Sequence, residues 1–334
     1  MVTEIGARLL EQAQGGSGIA KHHLHVRHVP FRFGQALTIT DALTHRSSSG
    51  MGGQRIGIAP LPVREQPEAE MRQRQIRQPG VDRAQIGTGT DPEANLELVA
   101  DHTARAADAG ADLVLFPEAT MCRFGVPLAP VAQPLDGPWA NAVRDIAKRS
   151  GVTVVAGMFC PSADGRVTNT LIATGPNLEA HYHKMHLYDA FGFAESDTVA
   201  PGFEPVVIDV PVADGTVPVG LTTCYDVRFP ELHLELAERG AKLLTVHASW
   251  ASGPGKLEQW TLLARARALD TSCFVAAVDQ PYPGEELAKK GPTGSGGSVV
   301  ASPTGDIVAQ AGIDPELLVI DIDLAAVDRA RETI

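Results

Sequence analysis

A glutamate, a lysine and a cysteine each lie where the sequence pattern predicts the end of a strand. Glu118 follows the apolar run ADLVLFP, Lys184 lies in HYHKMHLYD, and Cys224 ends the run VPVGLTTC. A thiolate is a strong nucleophile towards a carbonyl carbon, a carboxylate can move its proton, and an ammonium can stabilise the resulting oxyanion. These residue types therefore indicate acyl chemistry through a thioester.

Cys224 lies on a sharp turn between a predicted strand and a predicted helix. Residues 217–223 alternate apolar with smaller or polar positions, and residues 229–240 (FPELHLELAERG) predict a helix that begins near Pro230 and ends at Gly240. Free N–H groups at the helix start would favour the thiolate of Cys224. The alternative is that Cys224 is a small buried core residue, and this stretch alone does not decide between the two.

Glu118 lies at the carboxyl end of a predicted central strand. A predicted helix ends at Gly110, and the run 111–118 that follows has four consecutive apolar residues, which is typical of a strand buried on both faces. Folds of the α/β class place their chemistry at this end of the sheet. A surface role for a glutamate after LVLFP is therefore disfavoured.

Lys184 lies near the end of a strand in a predicted hairpin. Residues 166–174 and 178–184 flank the turn sequence TGPN. Strands alternate with helices in the first half of the chain and are closely spaced in the second half. This order predicts two sheets packed face to face with helices outside.

Composition excludes several classes of protein. The chain has 334 residues, 44% of them hydrophobic, and a net charge of −12, so no basic footprint indicates nucleic-acid binding. No apolar run reaches the ~18 residues that a membrane span needs, and no secretory signal is recognised at the start. The four cysteines (Cys122, Cys160, Cys224 and Cys273) form no CxxC pair. Free thiols in a reducing, cytoplasmic compartment are predicted.

The first 80 residues differ from the rest in charge. They hold 10 Lys and Arg against 6 Asp and Glu, whereas residues 81–334 hold 18 against 34. Residues 1–80 are predicted to be a disordered or weakly ordered extension, and residues 81–334 to form the folded domain. A small regulatory arm and an over-extended reading frame are the alternatives for the first part.

Three segments resemble the signature segments of the nitrilase superfamily, the carbon–nitrogen hydrolases. They are FPEAT around Glu118, HKMHLYD around Lys184 and GLTTCYDVRFPEL around Cys224, and their order and spacing also fit. The resemblance covers about residues 81–334 and is greatest to ω-amidase-like and Nit-protein amidases. It implies an α/β fold built as a four-layer α-β-β-α sandwich, and a homodimer or higher homo-oligomer.

The resemblance also implies roles for individual residues. Cys224 would be the nucleophile, Glu118 the general base, and Lys184 the residue that stabilises the oxyanion. Glu195 in FAES would orient the lysine and the substrate, and the backbone N–H of Tyr225 would help to hold the oxyanion. The implied reaction converts a small linear amide to a carboxylate and ammonia, with no metal or cofactor.

Other functions remain open on the same residues. Nitrile hydrolysis and acyl transfer use the same thioester chemistry, and a catalytically silent amide-binding protein is a further alternative. Arg228 could pair with a substrate carboxylate or with a core acid, and Trp250 is expected to line the acyl pocket. His186 is expected to support the lysine loop, and Asp226 to be a helix-start carboxylate rather than a catalyst.

The predicted first strand departs from the family pattern. Asp82 and Arg83 stand where members of the family have apolar residues. Either residues 55–63 (RIGIAPLPV) supply the first strand, or the strand that contains Asp82 and Arg83 is damaged. This departure affects the predicted stability of the fold more than the predicted site.

Overall fold

The computed structural model describes residues 79–190 and 192–333. The predictions for the N-terminal extension, including the strand candidate at residues 55–63, lie outside the described residues. Among the residues described, no helix is long and apolar enough to cross a membrane.

Thirteen strands form two sheets within these residues. In chain order they are β1 (Gly80–Gln85), β2 (Leu113–Leu115), β3 (Thr153–Pro161), β4 (Val167–Gly175), β5 (Leu178–His183), β6 (Val199–Ala200), β7 (Val206–Val212), β8 (Gly215–Thr223), β9 (Leu243–Ala248), β10 (Phe274–Asp279), β11 (Val299–Ala301), β12 (Ile307–Gln310) and β13 (Glu316–Asp321). The first sheet has the order β13-β1-β2-β3-β4-β5, with β6 paired to β4, and the second has the order β12-β11-β10-β9-β8-β7. Strands β1, β2 and β3 are parallel, as are β8, β9 and β10.

Helices cover the outer face of each sheet. The described helices are α1 (Pro92–Asp108), α2 (Pro138–Ser150), α3 (Pro230–Glu238), α4 (Lys256–Thr271), α5 (Glu285–Ala288) and α6 (Ala325–Thr333). Helix α1 begins with a capping residue and a proline. The Asp91 side chain caps the helix by accepting from the Glu93 N–H at 3.0 Å, and Pro92 occupies the first turn.

The core lies in three layers, which confirms the predicted α-β-β-α sandwich. Strand β2 illustrates the arrangement, because Leu113 and Leu115 point between the sheets while Val114 packs under α1 and α2. The period of two along a strand explains why a run of consecutive apolar residues is needed there. A third cluster, which includes Leu236 and Trp260, packs α3 and α4 against the second sheet.

Strand β1 forms despite its two charged residues. It lies between β13, to which it is antiparallel, and β2, to which it is parallel. Asp82 and Arg83 are fully buried there, and the charged groups of neither side chain have a hydrogen-bond partner among the described residues. Burial raises the pKa of Asp82 to about 7 and lowers the pKa of Arg83 to about 10. The strand is therefore present, and it carries two buried charges that the fold does not satisfy.

Candidate active site

Cys224 occupies the turn that the sequence predicts. Strand β8 ends at Thr223, a short 3-10 turn covers Cys224–Arg228, and α3 begins at Pro230. Cys224 has a φ of +48°, in the left-handed region that residues with a Cβ adopt rarely. The sharp reversal of the chain is therefore made at the cysteine itself.

The predicted preference of Cys224 for the thiolate is wrong for the structure described. Burial raises the pKa of the thiol well above its usual value, the carboxylates of Glu118 and Glu195 raise it further, and Lys184 only partly opposes them. Partial positive charge at the start of the turn does not outweigh burial beside two carboxylates. The cysteine is a thiol at neutral pH, so a nearby base is needed to activate it.

Lys184 lies between two carboxylates. Its Nζ is 2.9 Å from Glu118 Oε1 and 2.9 Å from Glu195 Oε2. Burial acts to lower the pKa of this lysine, but the two carboxylates together raise it well above its usual value. Lys184 is therefore a buried cation, held at the end of β5 with its side chain fixed in two directions.

Glu118 is fully enclosed and hydrogen-bonded at both oxygens. Its Oε1 accepts from Asn169 Nδ2 at 2.7 Å and from Lys184, and its Oε2 accepts from the Ser249 N–H at 3.0 Å. Burial raises the pKa of the carboxyl group, Lys184 lowers it and Glu195 raises it, and the net shift is upwards. A carboxylate that binds protons more readily than usual suits a general base.

Glu195 is held in place by the backbone of Tyr188 and by Lys184. The residue lies in a single 3-10 turn, Glu195–Asp197, and its Oε2 accepts from the Tyr188 N–H at 2.7 Å. Arg166 braces the same segment, because its guanidinium donates to the carbonyl oxygens of Ser196 (2.8 Å) and Val199 (3.2 Å).

Two glycines allow the backbone to approach the site closely. A Cβ at Gly157 in β3 would lie 1.5 Å from the carbonyl oxygen of Glu118. A Cβ at Gly202 would lie 2.2 Å from the carbonyl oxygen of His183, and the Gly202 N–H donates to the Lys184 carbonyl at 2.7 Å. The backbones that carry Glu118 and Lys184 therefore fit only against residues without a side chain.

The structure brings the predicted residues to one cavity of about 490 Å³. Glu118, Lys184, Glu195, Cys224 and Tyr225 all line it.

Arg228 and Trp250 also line this cavity, as expected. The guanidinium of Arg228 lies 5.5 Å from the centre of the Trp250 ring, and its Nη2 donates to Gln259 Oε1 at 3.1 Å. Its described partner is therefore an amide, not the core acid considered as an alternative.

Asn169 and Ser249 hold Glu118, and sequence reasoning missed both. The register of the parallel pair β8–β9 aligns Thr223 with His247, which places Ser249 close to Cys224. The pairing of these strands cannot be read from the sequence. The position of Ser249 just after a predicted buried strand could have indicated a residue of the site. Asn169 lies inside β4, where a buried polar residue in an apolar strand was the available signal.

The remaining cysteines and histidines lie outside the cavity lining among the described residues. Cys122, Cys160 and Cys273 are buried, as predicted for core positions. The rings of His181 and His183 lie 4.9 Å apart on β5.

Comparison with known proteins gives consistent matches. The sequence model of the family described as carbon-nitrogen hydrolase matches residues 74–332. A hydrolase of Mycobacterium tuberculosis is 64% identical over 260 residues, which cover 75% of this chain and 91% of the relative. A deaminated glutathione amidase of Escherichia coli O157:H7 is 36% identical over 243 residues, which cover 72% and 88%. The crystal structure of Saccharomyces cerevisiae Nit3, from branch 10 of the nitrilase superfamily, matches with a TM-score of 0.67 at 25% identity, over 77% of this chain and 94% of Nit3.

Proposed function

Because the chain belongs to the carbon-nitrogen hydrolase family and is an amide-hydrolysing enzyme, we propose that it cleaves a small linear amide through a thioester on Cys224. The observation that carries the proposal is Lys184 Nζ lying 2.9 Å from Glu118 Oε1 in the cavity that Cys224 also lines. A nucleophile, a base and a buried cation meet there, which is the set that amide hydrolysis needs.

In the first half-reaction, Glu118 takes the proton of the Cys224 thiol while the sulfur attacks the amide carbon. The carbonyl oxygen becomes an oxyanion, which the Lys184 ammonium and the Tyr225 backbone N–H stabilise. The C–N bond then breaks, and Glu118 passes the proton to the leaving nitrogen, so that ammonia departs. A thioester remains on Cys224 and Glu118 is again a carboxylate.

In the second half-reaction, Glu118 takes a proton from a water that attacks the thioester carbon. The same donors stabilise the second oxyanion. The C–S bond breaks, Glu118 returns the proton to sulfur, and the acid product leaves. Glu195 keeps Lys184 oriented throughout, because both of its carboxylate oxygens accept from the ammonium.

The charges around the cavity support a substrate that carries a carboxylate. Apart from Glu118, Lys184 and Glu195, its lining has one acidic side chain, Asp197, against four cationic side chains, in a protein with a net charge of −12. The cationic side chains are Arg166, Arg228, Lys256 and Lys290. Arg228 stands four residues after the nucleophile, and its stacking near Trp250 leaves guanidinium N–H groups for a planar carboxylate. The expected substrate is therefore the ω-amide of a dicarboxylic acid.

The test is ammonia release from paired amides that differ in one carboxylate. The half-amides of succinic and glutaric acid, glutamine and ω-amides of keto acids are compared with neutral butyramide and with a nitrile. We expect ammonia release from the acidic amides, with a kcat/KM at least about tenfold higher than that for butyramide. This factor is the scale of one charge-assisted contact. The ratio of kcat/KM for the acidic amides to kcat/KM for butyramide should fall in Arg228→Gln.

Two cysteine variants give the matched control. Cys224→Ala should abolish release, while Cys122→Ala removes a buried cysteine outside the cavity lining and should retain it. Release that persists in clean Cys224→Ala protein would contradict the proposed nucleophile. Equal rates on acidic and neutral amides would contradict the substrate class alone.

A further inference from the structure

The carboxylate of Asp226 accepts four hydrogen bonds in the interior of the protein. Its Oδ2 accepts from the Thr223 N–H at 2.8 Å and from the Tyr182 hydroxyl at 2.7 Å. Its Oδ1 accepts from the backbone N–H of His186 at 2.9 Å and from His186 Nδ1 at 2.8 Å. The side chain is fully enclosed, so each oxygen is committed to the donors that surround it.

The four donors flank Lys184 and Cys224. Tyr182 lies two residues before Lys184 and His186 lies two residues after it. Thr223 immediately precedes Cys224. A single buried side chain therefore joins the residues on both sides of the lysine, Tyr182 through its hydroxyl and His186 through its backbone and ring, to the strand end that carries the cysteine.

The turn at Cys224 needs such a restraint. A left-handed φ of +48° is unfavourable for a residue with a Cβ, so an unrestrained chain would relax from it. Asp226 lies three residues beyond Thr223 and accepts its N–H, which closes the turn around Cys224. The His186 ring adds a second contact to the same region, since it stacks on Phe229 with centroids 3.8 Å apart.

We infer that Asp226 is a positioning residue that fixes the separation of Cys224 and Lys184, an inference that rests on the proposed catalytic roles of those two residues. Neither Asp226 nor His186 is among the described residues that line the cavity. Asp226 therefore acts through the backbone of its neighbours. Its carboxylate sets how far the sulfur stands from the ammonium that must receive the oxyanion.

The Asp226→Asn variant tests the role most directly. An amide has one acceptor oxygen, so its NH2 group must face either the Thr223 and Tyr182 donors or the two His186 donors. The backbone N–H of Thr223 or of His186, which can only donate, then loses its acceptor, so the two segments can move apart. A displacement of about 1 Å can lower the rate about 10²-fold, so we expect kcat to fall by about this factor while KM changes less than about twofold.

His186 offers a matched pair of variants for the same bond. His186→Ala removes the Nδ1 donor, whereas His186→Asn places an amide N–H near the same position. Both remove the stacking on Phe229, so only the hydrogen bond to Asp226 separates them. We expect His186→Ala to lower kcat about tenfold and His186→Asn to recover most of the loss, because a misplaced reacting group slows the chemical step rather than binding.

The experiment measures kcat and KM for the half-amides, and the rate of Cys224 alkylation by iodoacetamide from pH 6 to pH 10. Positioning predicts slower alkylation of Asp226→Asn, with its pH profile moved to higher pH, because the Cys224 thiolate loses part of its stabilisation by the Lys184 ammonium. An unchanged kcat and alkylation profile for Asp226→Asn would overturn the inference, as would equal impairment of His186→Ala and His186→Asn. If Asp226→Asn does not fold, the His186 pair decides. If the unmodified protein releases no ammonia but its alkylation depends on Asp226, the proposed function fails and the positioning role stands.

Discussion

Removing the charge of Asp82 is expected to stabilise the protein at neutral and alkaline pH. The carboxylate is enclosed within β1 without a hydrogen-bond partner in the part of the chain that the structure describes, and burial raises its pKa from 3.8 to about 7. The folded protein therefore holds this proton at pH values where the unfolded chain has released it. Stability from this group is greatest below pH ~4, falls as the pH rises from about 4 to 7, and stays low above 7.

The size of the effect follows from the shift. About 3 pKa units correspond to about 4 kcal/mol of folding free energy lost above pH 7. Asp82 also attracts the neighbouring Arg83 and raises its pKa, and this attraction is lost with the charge. We therefore expect Asp82→Asn to raise the free energy of unfolding by about 3 kcal/mol at pH 8 and by almost nothing at pH 4. Asp82→Val should add about 1–2 kcal/mol at both pH values, because it also removes the unsatisfied oxygens.

Urea unfolding followed by circular dichroism between pH 4 and pH 8 measures these differences. Asp209→Asn is the matched control, since Asp209 is exposed on β7, and it should change stability by less than about 0.5 kcal/mol. Equal stabilities of Asp82→Asn and the unmodified protein at pH 8 would refute the reasoning. They would mean that Asp82 is solvated or paired in the folded state.

Two further predictions concern the site and the assembly. Glu195→Gln keeps the size of the side chain but removes its charge, so Lys184 loses one of two anionic partners. We expect kcat in steady-state assays to fall about 10- to 100-fold, the scale of a misoriented catalytic group, while the melting temperature is retained. An unchanged kcat would exclude the orienting role. The protein is expected to be a homodimer or a higher homo-oligomer, as the family resemblance implies, and the exposed Leu262 and Leu269 on α4 are candidates for its interface. Light scattering should give at least about twice the 35.3 kDa chain mass, and a mass of one chain would contradict this.

Local sequence patterns predict most of the fold and the placement of the site. The apolar run before Glu118 and the strand-turn-helix pattern at Cys224 depend on neighbours in the chain, so they are readable without tertiary information. The hairpin that ends at Lys184 is readable for the same reason.

The remaining features depend on packing between distant segments. Ser249 reaches Glu118 because of the strand register, and Asn169 reaches it from another strand. The thiol of Cys224 loses its expected preference for the thiolate because it is buried and because two carboxylates from distant segments lie nearby. Such effects are set by the three-dimensional surroundings of a group and leave little trace in its own segment.

The position of Lys184 between two carboxylates determines the net charge at this point of the cavity. With a neutral thiol, the lysine and its two partners carry one net negative charge. Moving the thiol proton to Glu118 and forming the oxyanion leaves that sum unchanged, so these chemical steps proceed without a change in the charge of this group of residues and reacting atoms. The balance ends only when the acid product ionises and adds a second negative charge beside Glu118 and Glu195. Electrostatic repulsion then favours release of the product carboxylate. Glu118, which deprotonates Cys224, therefore also promotes product release.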